Sequence, residues 1–88
     1  MLEYHAAYYK TEDGWYVVKV LDFPGAVSQG RTLNSAKGMI RDALRLLAES
    51  LAEDGQPLPK PDPGAADTKA DFSETIPLRI RATCGGKP

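Results

Sequence analysis

The chain has 88 residues, with 11 basic and 12 acidic side chains and a net charge of −1. A domain of this length buries only about 60–65% of the surface that its unfolded chain exposes. It is therefore marginally stable without a disulfide, a metal site or self-association. One cysteine, Cys84, excludes an internal disulfide, and one histidine, His5, leaves no Cys/His cluster for zinc. The balanced charge argues against a dedicated polyanion binder, which leaves self-association as the expected source of extra stability.

The sequence also bears on location. No apolar run approaches the roughly 20 residues that span a bilayer, and the N-terminus lacks the basic and apolar regions of a secretory signal. The unpaired cysteine agrees with a reducing compartment. We therefore predict one cytoplasmic domain, residues 1–88, and the sequence gives no reason to expect a cofactor, a metal site or a membrane partner.

The first 20 residues predict an antiparallel β-hairpin. The pattern alternates from Leu2 to Tyr9, and a β-branched and aromatic strand follows from Trp15 to Val20. The loop between them, residues 10–14, ends in Asp-Gly, a common hairpin connection that Gly14 closes.

Residues 22–25, Asp-Phe-Pro-Gly, predict a turn that leads into a short third strand. Pro24 fixes φ near about −65°, and Gly25 accepts the positive φ that a type II turn needs at its next position. The strand covers residues 26–29 and ends at Gly30.

A long amphipathic helix is predicted from about Leu33 to Glu53, with Thr32 as its N-cap. Apolar residues at helical spacing form one stripe, which comprises Ala36, Ile40, Ala43, Leu44, Leu47 and Leu51. Gly38 falls on the opposite side, where it costs about 1 kcal/mol relative to alanine.

Beyond this core, residues 2–54, the connection 55–70 contains four prolines and predicts an extended, semi-rigid segment. Alternation resumes over residues 75–83 and predicts a fourth strand, in which Pro77 suits an edge position, before a tail at residues 84–88. The order is β-β-β-α-β, and a right-handed crossover would place the last strand parallel to the first. The predicted class is α+β, with one helix packed on a small mixed sheet.

The face of the predicted sheet that the helix leaves uncovered is apolar. Tyr9, Trp15 and Val17 share it and are too apolar to stay wholly in water, which predicts a protein–protein surface for a partner or a second copy. Burial in the core is the alternative. We also predict a homodimer or tetramer, with Leu78 and Ile80 on the exposed edge of the fourth strand as its contact.

Several motifs together resemble the HicB-like antitoxin family. They are Gly14 before an aromatic-aliphatic strand, Asp22-Phe23-Pro24-Gly25, Gln29-Gly30-Arg31-Thr32-Leu33, Ala36, Ala43-Leu44 and Pro57-Leu58-Pro59. The resemblance covers about residues 2–60 and departs from the family pattern at Ser35, where Glu is usual, and at Gly38. It implies a partial RNase H-like β-β-β-α-β unit. The structural-motif residues are Gly14, Asp22, Pro24, Gly25, Gly30, Thr32 and Ala36.

The resemblance also implies a function. Antitoxins of this family bind and neutralise a small HicA-type toxin, an mRNA-cleaving protein with a double-stranded-RNA-binding-like fold, in type II toxin–antitoxin systems. Many members add a C-terminal DNA-binding module, which we do not expect in these 88 residues. The expected activity is masking of a toxin, and we expect no catalytic residue in this chain.

Two alternatives stay open. One is a stand-alone oligomeric scaffold without a toxin. The other is an RNase H-like nuclease, which needs several carboxylates around two metal ions, with Glu3 and Asp42 as candidates. Asp42 and Glu49 also suit ion pairs with Arg45 on the polar face of the helix.

The remaining chemistry-bearing residues have simpler interpretations. Lys37, Arg41 and Arg45 form a basic row, but the acids between them argue against direct binding of nucleic acid. His5 has no nucleophile beside it in a recognisable motif and is expected on a sheet face. Asp22 is expected to bond backbone N–H groups near its turn.

Overall fold

The computed structural model describes residues 2–78. Its elements are β1 (Leu2–Lys10), β2 (Tyr16–Val20), β3 (Val27–Gly30), α1 (Leu33–Glu53) and β4 (Phe72–Leu78). The strands form one sheet in the order β3-β2-β1-β4, so β3 and β4 are its edges. Since α1 packs on one face of this sheet, the predicted α+β class and the predicted element order are confirmed.

The local turns form as the sequence predicts. β1 and β2 pair antiparallel, and Gly14 closes their loop at φ 88°. Gly25 also has φ 88°, and the N–H of Ala26 donates to the carbonyl of Phe23 at 3.2 Å, which closes the turn around Pro24. A side chain at either glycine would meet no neighbour, so the positive φ is the reason for glycine there.

The helix begins and ends where the sequence predicts. The Thr32 hydroxyl accepts from the N–H of Ser35 at 3.0 Å, which confirms the N-cap. Most of the predicted stripe faces the sheet, and Ala48 joins it; the fully buried helix residues are Ala36, Ile40, Leu44 and Ala48. A Cβ added at Gly38 would meet nothing within 4 Å outside its own stretch of helix, as expected for an exposed position.

Tyrosines of β1 supply much of the core. Tyr4 and Tyr8 are fully buried, and the Tyr4 ring meets Phe23 edge-on at 5.1 Å between centroids. Each hydroxyl finds an acceptor at the boundary of the core, the carbonyl of Pro59 for Tyr4 and the carboxylate of Glu74 for Tyr8, both at 2.6 Å. Large aromatic area is therefore buried without an unpaired phenol.

The predicted parallel placement of the last strand, and with it the mixed sheet, is wrong. β4 pairs antiparallel with β1, from Leu2 opposite Leu78 to Tyr8 opposite Phe72. Because α1 ends near the start of β1, the chain must return along the sheet before β4 can begin. The connection between α1 and β4 has eighteen residues, 54–71. At about 3.1 Å per residue it easily spans a nine-residue strand of about 30 Å.

Strand β4 starts three residues earlier than predicted, at Phe72 instead of Thr75. Residues 79–83 of the predicted strand, Ile80 among them, and the tail with Cys84 lie outside the described residues. Pro77 lies in an edge strand, as its missing N–H predicts.

Candidate interaction surface

The face of the sheet opposite α1, called the outer face below, carries the predicted surface residues. Tyr9 lies directly opposite Val17 in the β1–β2 pair, and Trp15 precedes Val17 by two residues, so the three point the same way. All three are half-buried. The prediction that they share a face is confirmed.

The connection explains the burial of Tyr9. The Tyr9 hydroxyl donates to Asp67 at 2.5 Å, and the ammonium of Lys19 lies 5.4 Å from the ring centroid. Desolvation, followed by the hydrogen bond to Asp67, raises the pKa of Tyr9 to about 12. Tyr9 is thus a point at which the connection is fastened across the outer face.

Asp22 is a second fastening point. Its side chain is 2% exposed. The carboxylate accepts hydrogen bonds from the backbone N–H of His5 at 2.8 Å and from the backbone N–H of Asp62 at 3.0 Å. The ring Nδ1 of His5 lies 2.7 Å from the same carboxylate. Burial alone would raise the pKa of the carboxyl, but these hydrogen bonds outweigh it and hold the pKa of Asp22 below its ordinary value. The expected bonding to backbone N–H groups is confirmed, although the donors come from β1 and the connection.

Among residues 2–78, the connection runs past β1 and leaves the half of the outer face on β2 and β3 uncovered. We call this half the open strip; it comprises Trp15, Val17, Lys19, Val27 and Gln29. Val27 is 58% exposed, and the guanidinium of Arg31 lies 5.3 Å from the Trp15 ring. The strip offers apolar and aromatic area with cations beside it, on strands whose opposite side is packed core.

Leu78 does not lie on a surface. It is 6% exposed and packs opposite Leu2 in the core under α1. The predicted role of its side chain in an oligomer contact is therefore wrong, because in an antiparallel β4 this residue turns towards the helix. The other residue predicted at this contact, Ile80, is not among those described.

The basic row on α1 is neutralised by acids. Lys37 and Arg41 lie 3.9 and 4.0 Å from the carboxylate of Glu74 on β4. Arg45 pairs with its helix neighbours at 3.2 and 3.7 Å, which confirms the expected pairs with Asp42 and Glu49. No free cationic stripe is left along these three positions.

The acids considered for a nuclease do not converge. Glu3 is exposed on the outer face opposite Pro77, whereas Asp42 is exposed on α1, on the other side of the sheet. Across residues 2–78, no three His, Cys, Asp or Glu side chains lie close enough together to hold a metal ion.

Loss of the Tyr9 hydroxyl is expected to free the middle of the connection. In Tyr9→Phe, the ring still packs against Lys19, but Asp67 loses a donor. We expect amide hydrogen exchange to accelerate from Asp67 to Lys69, with a loss of stability of no more than about 1 kcal/mol, since the bond is partly exposed. Unchanged exchange in this segment would contradict the fastening role.

Within the described part of the chain, no helix is both long and apolar enough to cross a membrane.

A profile of the family described as "HicB_like antitoxin of bacterial toxin-antitoxin system" matches residues 4–81.

Two relatives match at the sequence level. The UPF0150 protein Ta0767 of Thermoplasma acidophilum is 37% identical over 59 residues, which cover 67% of this chain and 86% of that protein. The uncharacterized 14.9 kDa protein from the rep-hol intergenic region of Haemophilus phage HP1 is 43% identical over 54 residues, 61% of this chain. The match spans only 40% of the phage protein.

Solved structures agree with the fold. The N-terminal domain of Burkholderia pseudomallei antitoxin HicB superposes with a TM-score of 0.73 at 22% identity, over 90% of this chain and all of that one. The crystal structure of the longer HicB chain gives a TM-score of 0.69 at 25% identity, over 92% of this chain and 74% of that one. Since the family profile spans most of the residues and the fold agrees, this chain belongs to the HicB-like antitoxins of bacterial toxin–antitoxin systems.

Proposed function

We propose that this chain binds and neutralises a small, HicA-type, mRNA-cleaving toxin in the cytoplasm, and that the open strip is the contact surface. Membership of the antitoxin family supports the role. The observation that carries the choice of surface is that Trp15, Val17 and Val27 lie together on the half of the outer face that the connection leaves uncovered.

The strip is well suited to tight binding because it is held rigid before a partner arrives. The backbone N–H of Trp15 and its carbonyl both bond Thr11, and Val18, on the reverse side of β2, is fully buried in the core. A preorganised aromatic side chain loses little entropy on binding, and aromatic residues dominate the energetic centres of protein interfaces. Neutralisation by this surface is steric occlusion of the toxin, with no covalent step and no catalysis by the antitoxin.

Removal of the aromatic anchor tests the surface. We expect Trp15→Ala to weaken binding of the toxin encoded beside this gene by at least about tenfold, as for truncation of an interface anchor. Isothermal titration calorimetry measures the affinity, and rescue of growth on toxin expression measures neutralisation. The matched control is Phe72→Ala, which removes a 38% exposed aromatic side chain at the opposite edge of the sheet and should leave binding unchanged.

The outcomes separate the role from the surface. If the wild-type chain neither binds the neighbouring toxin nor rescues growth, the proposed function is lost, and a scaffold without a toxin becomes the better explanation. If the wild type binds but Trp15→Ala binds equally well while Phe72→Ala does not, the toxin occupies the β4 side and the open strip is excluded.

A further inference from the structure

The open strip has a cation at each of its ends. Lys19 lies opposite Val27 in the β2–β3 pair. Four residues earlier on β2, the same register brings Trp15 beside Arg31, whose guanidinium lies 5.3 Å from the ring centroid. Arg31 therefore lies at the Trp15 end of the strip, and Lys19 lies at the other end.

These two cations have no acid paired with them in the described structure. Among residues 2–78, no ion pair within 4 Å involves Lys19 or Arg31. Both side chains are exposed, and each lies over an aromatic ring, Lys19 over Tyr9 and Arg31 over Trp15. A cation on the face of a ring keeps its charge and its outward hydrogen-bond donors. The strip therefore carries the positive potential that the basic row of α1 has lost to its acids.

The strip also offers a surface on which a planar base can stack. The indole of Trp15 is half-buried, so part of the ring is accessible from the outer face. Gln29 is exposed on the neighbouring strand, and its carboxamide has both hydrogen-bond donors and an acceptor. Proteins hold single-stranded nucleic acid by stacking its bases on aromatic rings and guanidinium planes, together with contacts to its phosphates.

The length of the strip fits a short strand of nucleic acid. Trp15 and Lys19 are four strand residues apart, which is about 13 Å. At about 3.4 Å for each nucleotide of a stacked strand, this distance spans about four nucleotides. A duplex hides the faces of its bases between neighbouring pairs, so only a single strand can stack on Trp15 while its phosphates meet the two cations.

We propose that the open strip, with Arg31 beside it, is a binding site for short single-stranded RNA. A base stacks on Trp15, Arg31 and Lys19 contact phosphates at the two ends, and Gln29 bonds a ribose 2′-hydroxyl, which is itself both donor and acceptor. The site binds RNA without cleaving it. This binding does not rest on the proposed function, but RNA and a toxin on the same strip would exclude each other.

The balanced charge of the chain limits this binding to a weak, salt-sensitive contact. The net charge is −1, which already argues against a dedicated polyanion binder. Two phosphate contacts on a single strand predict a slope of about −1.4 for the logarithm of the binding constant against the logarithm of salt concentration. The affinity should therefore fall about sevenfold between about 50 and 200 mM salt.

One acid opposes the phosphate at the Lys19 end. The pKa of Asp67 is lowered first by its hydrogen bond from Tyr9, and the charge of Lys19 makes a smaller contribution in the same direction. The ammonium is thus drawn partly towards the connection. We therefore expect Arg31→Gln to weaken RNA binding more than Lys19→Gln does.

Fluorescence of the single tryptophan tests the stacking directly. Trp15 is the only tryptophan of the chain, so its emission reports on the open strip alone. At about 50 mM salt, we expect hexauridylate to quench this emission saturably, and polyphosphate of the same charge, which has no bases, to leave it unchanged. The matched DNA, hexadeoxyuridylate, should bind several-fold more weakly, because it lacks the 2′-hydroxyls.

Variants measured by anisotropy of labelled hexauridylate provide the second test. We expect Trp15→Ala to weaken binding at least about tenfold, and Trp15→Phe, which keeps a stacking ring, to retain most of it. Arg31→Gln should lower the salt slope to about −0.7. The matched control is Arg45→Gln, which removes a guanidinium that pairs with acids on α1 and should change neither quantity. Circular dichroism verifies that each variant is folded.

The possible results separate this site from the toxin contact. A wild type that gives neither quenching nor an anisotropy change overturns the proposal, even if it binds and neutralises the toxin, and the proposed function then stands alone. Equal quenching by polyphosphate, equal binding of the matched DNA, or equal weakening by Arg45→Gln and Arg31→Gln also overturns it. RNA binding by a chain that neither binds nor neutralises the toxin supports the site and removes the proposed function.

Discussion

Replacement of Gly30 by alanine is expected to destabilise the fold by about 3 kcal/mol, at the upper end of the range for overpacking. The added Cβ would lie 2.5 Å from the nitrogen and 2.9 Å from the Cα of Ala36, and 2.9 Å from the carbonyl carbon of Ser35. These are backbone atoms of the first turns of α1, which cannot rotate away as a side chain can. The helix would have to move off β3, at the cost of core contacts of Ala36. Urea unfolding followed by circular dichroism measures the change.

The helix itself provides the matched control. Gly38 is exposed, and a Cβ added there would meet no atom of another part of the chain within 4 Å, so Gly38→Ala adds the same methyl group without a clash. Alanine is favoured over glycine in a helix interior by about 1 kcal/mol, and we expect a gain of that size. Opposite signs at the two positions support the close approach at Gly30. A loss at Gly30 no larger than the change at Gly38 would contradict it.

Removal of the Asp22 carboxylate is expected to cost about 3 kcal/mol. Its oxygens are the acceptors for the backbone N–H groups of His5 and Asp62, and for the His5 ring. Hydrogen bonds to a charged acceptor contribute about 1.5–3 kcal/mol, and Asp22→Ala removes the acceptor of the part-buried His5 donors and of the exposed N–H of Asp62. We expect lower stability in urea and faster hydrogen exchange at Asp62. Exchange at Asp62 that matches the wild type would show that the connection does not depend on this carboxylate.

The same carboxylate makes stability depend on pH. Its pKa is lowered in the folded protein, so the unfolded chain binds its proton more tightly. This contribution is present above the unfolded value near 3.8 and is lost as the pH falls through the folded pKa. Asp22→Asn, compared with the wild type from neutral pH to about pH 3, should lose less stability on acidification. The pKa of Asp67 is also lowered, first through its hydrogen bond from Tyr9, so some acid dependence should remain.

A control variant separates this effect from net charge. Asp54→Asn removes one negative charge at the exposed end of α1. Its loss of stability on acidification should match that of the wild type. If Asp22→Asn and Asp54→Asn flatten the acid dependence equally, the hydrogen bonds of Asp22 are not its cause.

Elements with a local cause were predictable from the residues. Thr32 caps α1 through a neighbour three residues away, and Gly25 permits the turn that Pro24 begins. The apolar spacing that starts at Ala36 selects the face of the helix that packs on the sheet. The N-cap, the turn and the buried face of the helix each depend on residues that are close together in the sequence. The sequence pattern alone is therefore enough to predict them. The shared face of Tyr9 and Val17 follows in the same way from strand alternation and one hairpin.

The sequence by itself therefore determined the three-stranded start of the sheet, the helix and the family. Only the tertiary structure decided the direction of β4, the packing of the connection against Tyr9, and the hydrogen-bond partners of Asp22. The physical reason is the connection: an extended, proline-rich segment of eighteen residues has no periodicity of its own and is long enough for either strand direction. Its path depends on contacts such as Asp22 with Asp62, forty residues apart, and these exist only once the sheet has formed.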